Sequence, residues 1–123
     1  MTFTFRRGRR RPTLPVTFTY LRTTRQYQGL VDSGSERSAC SASIARAAGL
    51  DLRKFPERAV FGAGGISRAR LCPIDMNILG RRLAMEILVI EAEDTVLLGR
   101  HDIFRAFQFG FDERAELLLV EPY

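Results

Sequence analysis

The sequence is poor in the residues that build metal centres and covalent catalytic triads. It holds two cysteines and one histidine in 123 residues. Cys40 and Cys72 lack the spacing of a zinc site or of a thiol–disulfide motif, and no further ligands stand at a recognised distance from them. His101 has no Ser or Cys pattern around it, which disfavours a Ser-His-Asp triad. We therefore expect neither a metal nor a cofactor in this protein.

Long apolar runs are also missing. No run approaches the ~20 residues that a membrane-spanning helix needs, and the first residues lack the apolar segment of a secretory signal. These absences favour a cytoplasmic location, in which Cys40 and Cys72 would be buried free thiols. One disulfide between them is the alternative.

Basic charge is concentrated in one short run. The net charge is +5, and Arg6–Arg11 contains five of the 19 basic residues, so the remaining basic residues balance the 14 acidic ones. We interpret residues 1–13 as a basic flexible arm or pro-segment, and residues 14–123 as a single folded domain. The run could bind nucleic acid through phosphate contacts. No aromatic residue is interleaved with it for base stacking, and a solvated tail is the simpler interpretation.

The rest of the chain alternates apolar and polar residues in the way that β-strands do. The strands predicted from this pattern are Val16–Tyr20, Gln26–Val31, Ala59–Phe61, Ile74–Ile78, Leu83–Ile90, Thr95–Leu98, Gln108–Phe111 and Glu116–Val120. We expect a turn over Leu21–Arg25, a helix capped by Ser41 and ended by Gly49, and a short helix near His101–Ala106. Many short strands with glycine between them predict an all-β barrel or sandwich.

Asp32-Ser33-Gly34 carries the clearest chemical signal. It follows the apolar pair Leu30-Val31, so a strand would run into a tight turn that presents a carboxylate. A carboxylate used as a general base must be held in a fixed position, and Gly34 allows the backbone to approach it closely. Asp-Ser-Gly is also ordinary turn chemistry, so the triplet alone does not decide between the two interpretations.

Two further features follow the triplet in order. Residues 62–65 (Gly-Ala-Gly-Gly) would form the tip of a hairpin that can open and close. A phosphate-binding loop is disfavoured there because no Lys-Ser/Thr follows. Leu97-Leu98-Gly99 would end an apolar strand beneath the catalytic loop, with Gly99 permitting two backbones to cross.

Together these three features resemble the retropepsin family, the homodimeric aspartic proteases of retroviruses and their cellular relatives. The resemblance covers roughly residues 14–120. It implies a closed all-β acid-protease barrel with one or two short helices, which is one protomer of a C2 homodimer acting on a peptide or protein substrate. The catalytic residues that it implies are Asp32, Ser33 and Gly34, supported by Ser35, Leu97, Leu98 and Gly99. The flap residues that it implies are Phe61, Gly62, Ala63, Gly64, Gly65 and Ile66.

The resemblance also assigns a role to Ser33, and the chain departs from the family at Ser35. Ser33 would bond across to the partner chain, and Ser35 stands where retropepsins commonly have Ala. A hydroxyl at position 35 can donate a hydrogen bond to the ionised carboxylate, which favours activity in the acidic range. Two alternatives stay open. The fold could be an inactive dimerisation or peptide-binding module, or the protein could act on nucleic acid through Arg6–Arg11.

Overall fold

The structure is a computed structural model that describes residues 1–4, 11–62, 65–91 and 95–123. Within these ranges the chain forms ten strands, two short α-helices and one 3-10 turn. The strands are β1 (Thr2–Thr4), β2 (Thr13–Tyr20), β3 (Thr23–Val31), β4 (Ala39–Ser41), β5 (Glu57–Gly62), β6 (Gly65–Ile78), β7 (Arg81–Ile90), β8 (Val96–Leu98), β9 (Phe107–Asp112) and β10 (Leu117–Pro122). The helices are α1 (Ala42–Ala47) and α2 (Ile103–Ala106), and the 3-10 turn is Leu52–Lys54.

Six of these strands close into a barrel. Their order is β2-β3-β8-β4-β7-β6, and β6 pairs back onto β2 from Val16↔Ile78 to Thr19↔Asp75. β5 lies outside the ring and forms a hairpin with β6. The predicted all-β closed barrel with short helices is therefore confirmed.

A second, three-stranded sheet joins the two ends of the described chain. β10 lies in its centre and pairs antiparallel with β1 on one side and with β9 on the other. β1 falls in the segment interpreted as an arm, and β2 begins at Thr13. Residues 5–10, which hold most of the arginine run, lie outside the described residues. The division of the chain at residue 13 stays a prediction.

The barrel interior is a continuous apolar core. Leu14, Val16 and Phe18 alternate inward along β2 and are fully buried, and the Phe18 ring packs on Tyr27 with the ring centroids 5.1 Å apart. Burying each such side chain contributes about 1.5–3 kcal/mol to folding. Leu98 belongs to the same core, so core packing holds β8 in place next to the candidate site.

The expected turn over Leu21–Arg25 is too long. Only Leu21 and Arg22 form the turn, because Tyr20 already pairs with Thr23 across the hairpin. A two-residue turn of this kind needs a left-handed residue, and Leu21 supplies it with a φ of 52°.

The first helix is predicted correctly, including both of its ends. The Ser41 hydroxyl accepts a hydrogen bond from the Ile44 N–H at 3.1 Å and so caps α1. Gly49 follows the helix with a φ of +98°, a conformation that glycine adopts without a steric penalty.

Both cysteines are free and buried in the core. Burial raises the pKa of the Cys40 thiol to about 12, with a smaller contribution from the nearby Cys72. Burial also raises the pKa of the Cys72 thiol, and Arg70 partly offsets that increase. Both groups are therefore neutral thiols at physiological pH, and thiols react through the thiolate.

We expect native Cys40 and Cys72 to resist an aromatic disulfide reagent at pH 8 and to react at once in guanidinium chloride. Because the pKa of Cys40 is raised in the folded state, its contribution to stability is complete below about pH 9 and is lost as the pH rises toward about 12. Urea unfolding at pH 8 and at pH 10.5 measures this loss, with a Cys40→Ala variant as the control. Rapid labelling of the native protein would contradict the buried position.

Candidate active site

Asp32 stands at the end of β3, where β8 fixes its position. β3 and β8 run parallel from Gly29↔Val96 to Val31↔Leu98, and β8 also pairs with β4 on its other side. The Asp32 N–H continues the ladder by donating to the Leu98 carbonyl at 3.1 Å. The carboxylate therefore begins from a backbone position that the barrel determines.

The loop after β3 holds both oxygens of the Asp32 carboxylate. The Gly34 N–H donates to Oδ1 at 2.9 Å, and the Ser35 hydroxyl donates to Oδ2 at 3.2 Å. The Ser35 N–H closes the turn onto the Asp32 carbonyl at 3.2 Å. Asp32 is half-buried, whereas Ser33 and Gly34 are exposed. The carboxylate is thus oriented by its own turn, in a residue that is partly exposed.

A second segment crosses directly beneath this loop at Gly99. A Cβ atom on Gly99 would lie 2.4 Å from the Arg37 carbonyl carbon and 2.7 Å from the Ser38 nitrogen, so no side chain fits between the two backbones. Two backbone hydrogen bonds join the two segments immediately after Gly99. The Arg100 N–H donates to the Ser35 carbonyl at 2.9 Å, and the His101 N–H donates to the Glu36 carbonyl at 2.8 Å.

The glycine-rich hairpin is the β5–β6 turn. Gly62 pairs with Gly65, and Phe61 pairs with Ile66, at the end of the two strands. Gly65 has a φ of +102°. The side chains of Phe61 and Ile66 are 81% and 69% exposed, which places an unpartnered apolar pair at the hairpin tip. Ala63 and Gly64, also predicted flap residues, lie outside the described residues.

Comparison with known proteins finds likeness at the level of structure. No protein-family model matches the sequence, and no curated protein matches it. A retropepsin-like aspartic protease from Rickettsia conorii superposes with a TM-score of 0.71 and 20% identity, over 98% of this chain and 97% of that one. The EIAV protease complexed with the inhibitor HBY-793 superposes with a TM-score of 0.62 and 22% identity, over 77% of this chain and 86% of that one.

The chain has the retropepsin fold. Identities of 20% and 22% establish the architecture and leave the chemistry to be argued from this chain's own residues.

The retropepsin fold of this chain carries a second, smaller apolar cluster. Ala39, Ala69 and Leu88 form its buried part. Its partly buried members are Val60, Leu71, Ile90 and Leu97. Leu97 and Leu98 were both expected beneath the catalytic loop, but successive strand residues face opposite ways, and only Leu98 joins the main core. Leu97 instead faces this cluster, which connects the base of the hairpin to the strand next to Asp32.

Two polar residues at the crossing were not predicted as site residues. The Ser38 hydroxyl donates to Asp102 Oδ1 at 2.7 Å and accepts from the Gly99 N–H at 2.9 Å. Asp102 also caps α2 by accepting from the Ile103 N–H at 2.8 Å. Ser38 lies in a loop without apolar periodicity, and nothing local in the sequence distinguishes it.

Two general properties hold for the residues that the structure describes. No three His, Cys, Asp or Glu side chains in this part of the chain gather closely enough to hold a metal ion. Among the helices described, none reaches the length and apolarity that crossing a membrane requires.

Proposed function

We propose that this chain is one subunit of a homodimeric aspartic endopeptidase, in which two Asp32 carboxylates activate a water molecule. The observation that carries the proposal is the Asp32 carboxylate itself. Hydrogen bonds from Gly34 and Ser35 orient both of its oxygens at an accessible turn. The β5–β6 hairpin and the second apolar cluster belong to the same seven-stranded sheet as β3, which leads to Asp32, and they support the proposal.

A single chain offers only half of such a site. Asp-Ser-Gly occurs once in 123 residues, and the chain has no internal repeat. Two carboxylates that meet on a two-fold axis cannot both ionise easily, so they share a proton. The ionised Asp32 takes a proton from the bound water while the protonated one polarises the scissile carbonyl. Water attacks directly, and no acyl-enzyme forms.

The remaining predicted residues have roles around this pair. Ser33 is exposed next to Asp32, where its hydroxyl can bond to the partner chain. Phe61 and Ile66 form the apolar end of a flap that closes over an extended peptide, which excludes water from the reaction. Leu97 and its cluster provide an apolar surface for a substrate side chain.

The resemblance to retropepsins implies that the predicted strand Glu116–Val120 contributes to the dimer interface. β10 is paired on both sides within its own chain, so a partner strand cannot be added to it without displacing β1 or β9. The Leu119 side chain is 46% exposed, on the face away from the buried Leu118 and Val120. We therefore expect β10 to contact the partner through outward side chains such as Leu119.

A peptide library tests the proposal. The purified protein is incubated with the library at several protein concentrations, with and without a statine-type inhibitor. We expect inhibitor-sensitive cleavage whose rate per chain falls on dilution, because the dimer dissociates. A cleavage rate per chain that stays constant on dilution, in a protein that sedimentation shows to be a monomer, would contradict the dimer. Inhibitor binding without any cleavage would identify a peptide-binding module instead.

Ser35→Ala is expected to move both limbs of the pH–activity profile toward neutral pH. The Ser35 hydroxyl donates to Asp32 Oδ2, and a donor stabilises the ionised carboxylate. The control is Ser43→Ala, which removes an exposed hydroxyl that bonds to Ser41 in the α1 region. An unchanged or acid-shifted profile in Ser35→Ala would show that the hydroxyl serves only its own turn.

A further inference from the structure

Ser38 is an unusual residue to find inside this barrel. Among the described residues, the buried polar side chains are Ser38, which is 0% exposed, and Ser41. Ser41 has a local task, since it caps α1. Ser38 caps no helix, and its two hydrogen-bond partners lie more than 60 residues away in the sequence. Burying a hydroxyl is unfavourable unless it is bonded, so its partners explain its presence.

The bonds of Ser38 lead to Asp32 through one peptide group. The Leu98 carbonyl, which accepts from the Asp32 N–H at 3.1 Å, and the Gly99 N–H, which donates to Ser38 Oγ at 2.9 Å, belong to the same planar unit. Ser38 in turn donates to Asp102 Oδ1 at 2.7 Å. A continuous chain therefore runs from the Asp32 amide, through the Leu98–Gly99 peptide and Ser38, to the Asp102 carboxylate.

Each bond in this chain strengthens its neighbours. A carboxylate is a strong acceptor, and it polarises the Ser38 hydroxyl so that its oxygen accepts more strongly from Gly99. A peptide group whose N–H is engaged in this way is a better acceptor at its carbonyl. The negative charge of Asp102 therefore acts on the bond that holds the Asp32 backbone.

The surroundings of Asp102 are partly open. It is half-buried and lines an open cavity of about 450 Å³ together with Arg37, Glu86 and His101. The cavity thus brings together two basic side chains, Arg37 and His101, and a second carboxylate, Glu86. The α2 cap adds a second donor, the Ile103 N–H.

We propose that Ser38 and Asp102 are positioning residues that fix the Asp32 turn through this hydrogen-bond chain. They act from behind the loop and do not contact substrate. The catalytic consequence rests on the proposed function, whereas the chain itself can be tested without it.

The first experiment follows the Asp32 amide proton by NMR in the wild type, Asp102→Asn and Ser41→Ala. Asn keeps an acceptor for Ser38 and for the α2 cap but removes the charge. We expect the Asp32 and Gly99 amide protons to shift upfield in Asp102→Asn, as their hydrogen bonds weaken. Ser41→Ala destabilises the fold by removing a cap and should leave both resonances in place. Unchanged Asp32 and Gly99 resonances in Asp102→Asn would overturn the proposal.

The second experiment measures peptide hydrolysis. We expect Asp102→Asn to lower kcat about tenfold with KM within about twofold, because a small displacement of a catalytic group is costly while binding surfaces are intact. Ser38→Ala should lower kcat at least as much. The double variant with Ser38→Ala and Asp102→Asn should lower kcat no further than Ser38→Ala alone, because both substitutions break the same hydrogen-bond chain. Losses that multiply, or a kcat that Ser41→Ala lowers equally, would overturn the positioning role. If the wild type cleaves no peptide, the proposed function fails and the amide resonances still decide the existence of the chain.

Discussion

Asp32→Asn is expected to lower peptide hydrolysis by at least about a thousandfold. General acid–base catalysis contributes roughly 10²–10⁴ to a rate, and in the proposed mechanism the same residue type supplies both the base and the acid. An amide at position 32 cannot take the proton from water. The measurement is kcat/KM on the best peptide of the library.

The fold of this variant should be unchanged. The Asn oxygen can still accept the hydrogen bond that the Gly34 N–H gives to Asp32 Oδ1, so the turn keeps its main contact. The matched control is Asp75→Asn, which removes a carboxylate that pairs with Arg82 on the barrel strands. Asp75→Asn should retain activity. Hydrolysis by Asp32→Asn near the wild-type rate would show that another group carries the chemistry.

Gly99→Ala should be the most destabilising of the conservative substitutions considered. Its Cβ would lie within 2.7 Å of three backbone atoms of Arg37 and Ser38. Backbone atoms cannot rotate away as a side chain does, so the two segments must separate. Separation breaks the Gly99 bond to Ser38 and strains the bonds of Arg100 and His101 to the loop. We expect a loss of about 3 kcal/mol or more of unfolding free energy.

Two other glycines provide a graded control in urea unfolding. A Cβ on Gly110 would meet only Leu119 side-chain atoms at 3.6 Å and beyond, an ordinary contact, so Gly110→Ala should change stability by less than about 0.5 kcal/mol. Gly29→Ala would meet the Leu98 side chain at 2.9 Å and should fall between the two. If Gly99→Ala unfolds like Gly110→Ala, the close crossing beneath the Asp32 loop is absent.

The features that the sequence predicts well are those whose chemistry is local. Alternation along Val16–Tyr20 and the Ser41 cap depend on neighbours a few residues away, and both appear in the structure. Asp32-Ser33-Gly34 is local in the same sense, because the turn supplies its own donors to the carboxylate.

Other features depend on partners that are distant in the sequence. β4 has only three residues, too few for a periodic pattern, and it exists because β7 and β8 flank it. β6 was expected only from Ile74. Its earlier residues Ala69 and Leu71 face the second apolar cluster, whereas Cys72 and the residues that alternate with it face the main core. Because the burial changes face within one strand, the alternation is interrupted.

Ser38, at the site itself, is another residue whose role depends on partners that are distant in the sequence. Its role comes from Gly99 and Asp102, which lie 61 and 64 residues away. A serine in a polar loop has no distinguishing pattern, so the hydrogen-bond chain behind Asp32 emerges only when the fold brings β8 between β3 and β4.

A subunit-mixing measurement tests most directly whether two Asp32 carboxylates form one active site. Wild-type chains are mixed with increasing amounts of Asp32→Asn chains and left to exchange before hydrolysis is assayed. With random pairing, an equal mixture leaves about a quarter of the dimers with two Asp32 residues, so activity per wild-type chain should fall to about half. Activity per wild-type chain that stays constant at every mixing ratio, with exchange verified, would contradict a site built from two subunits.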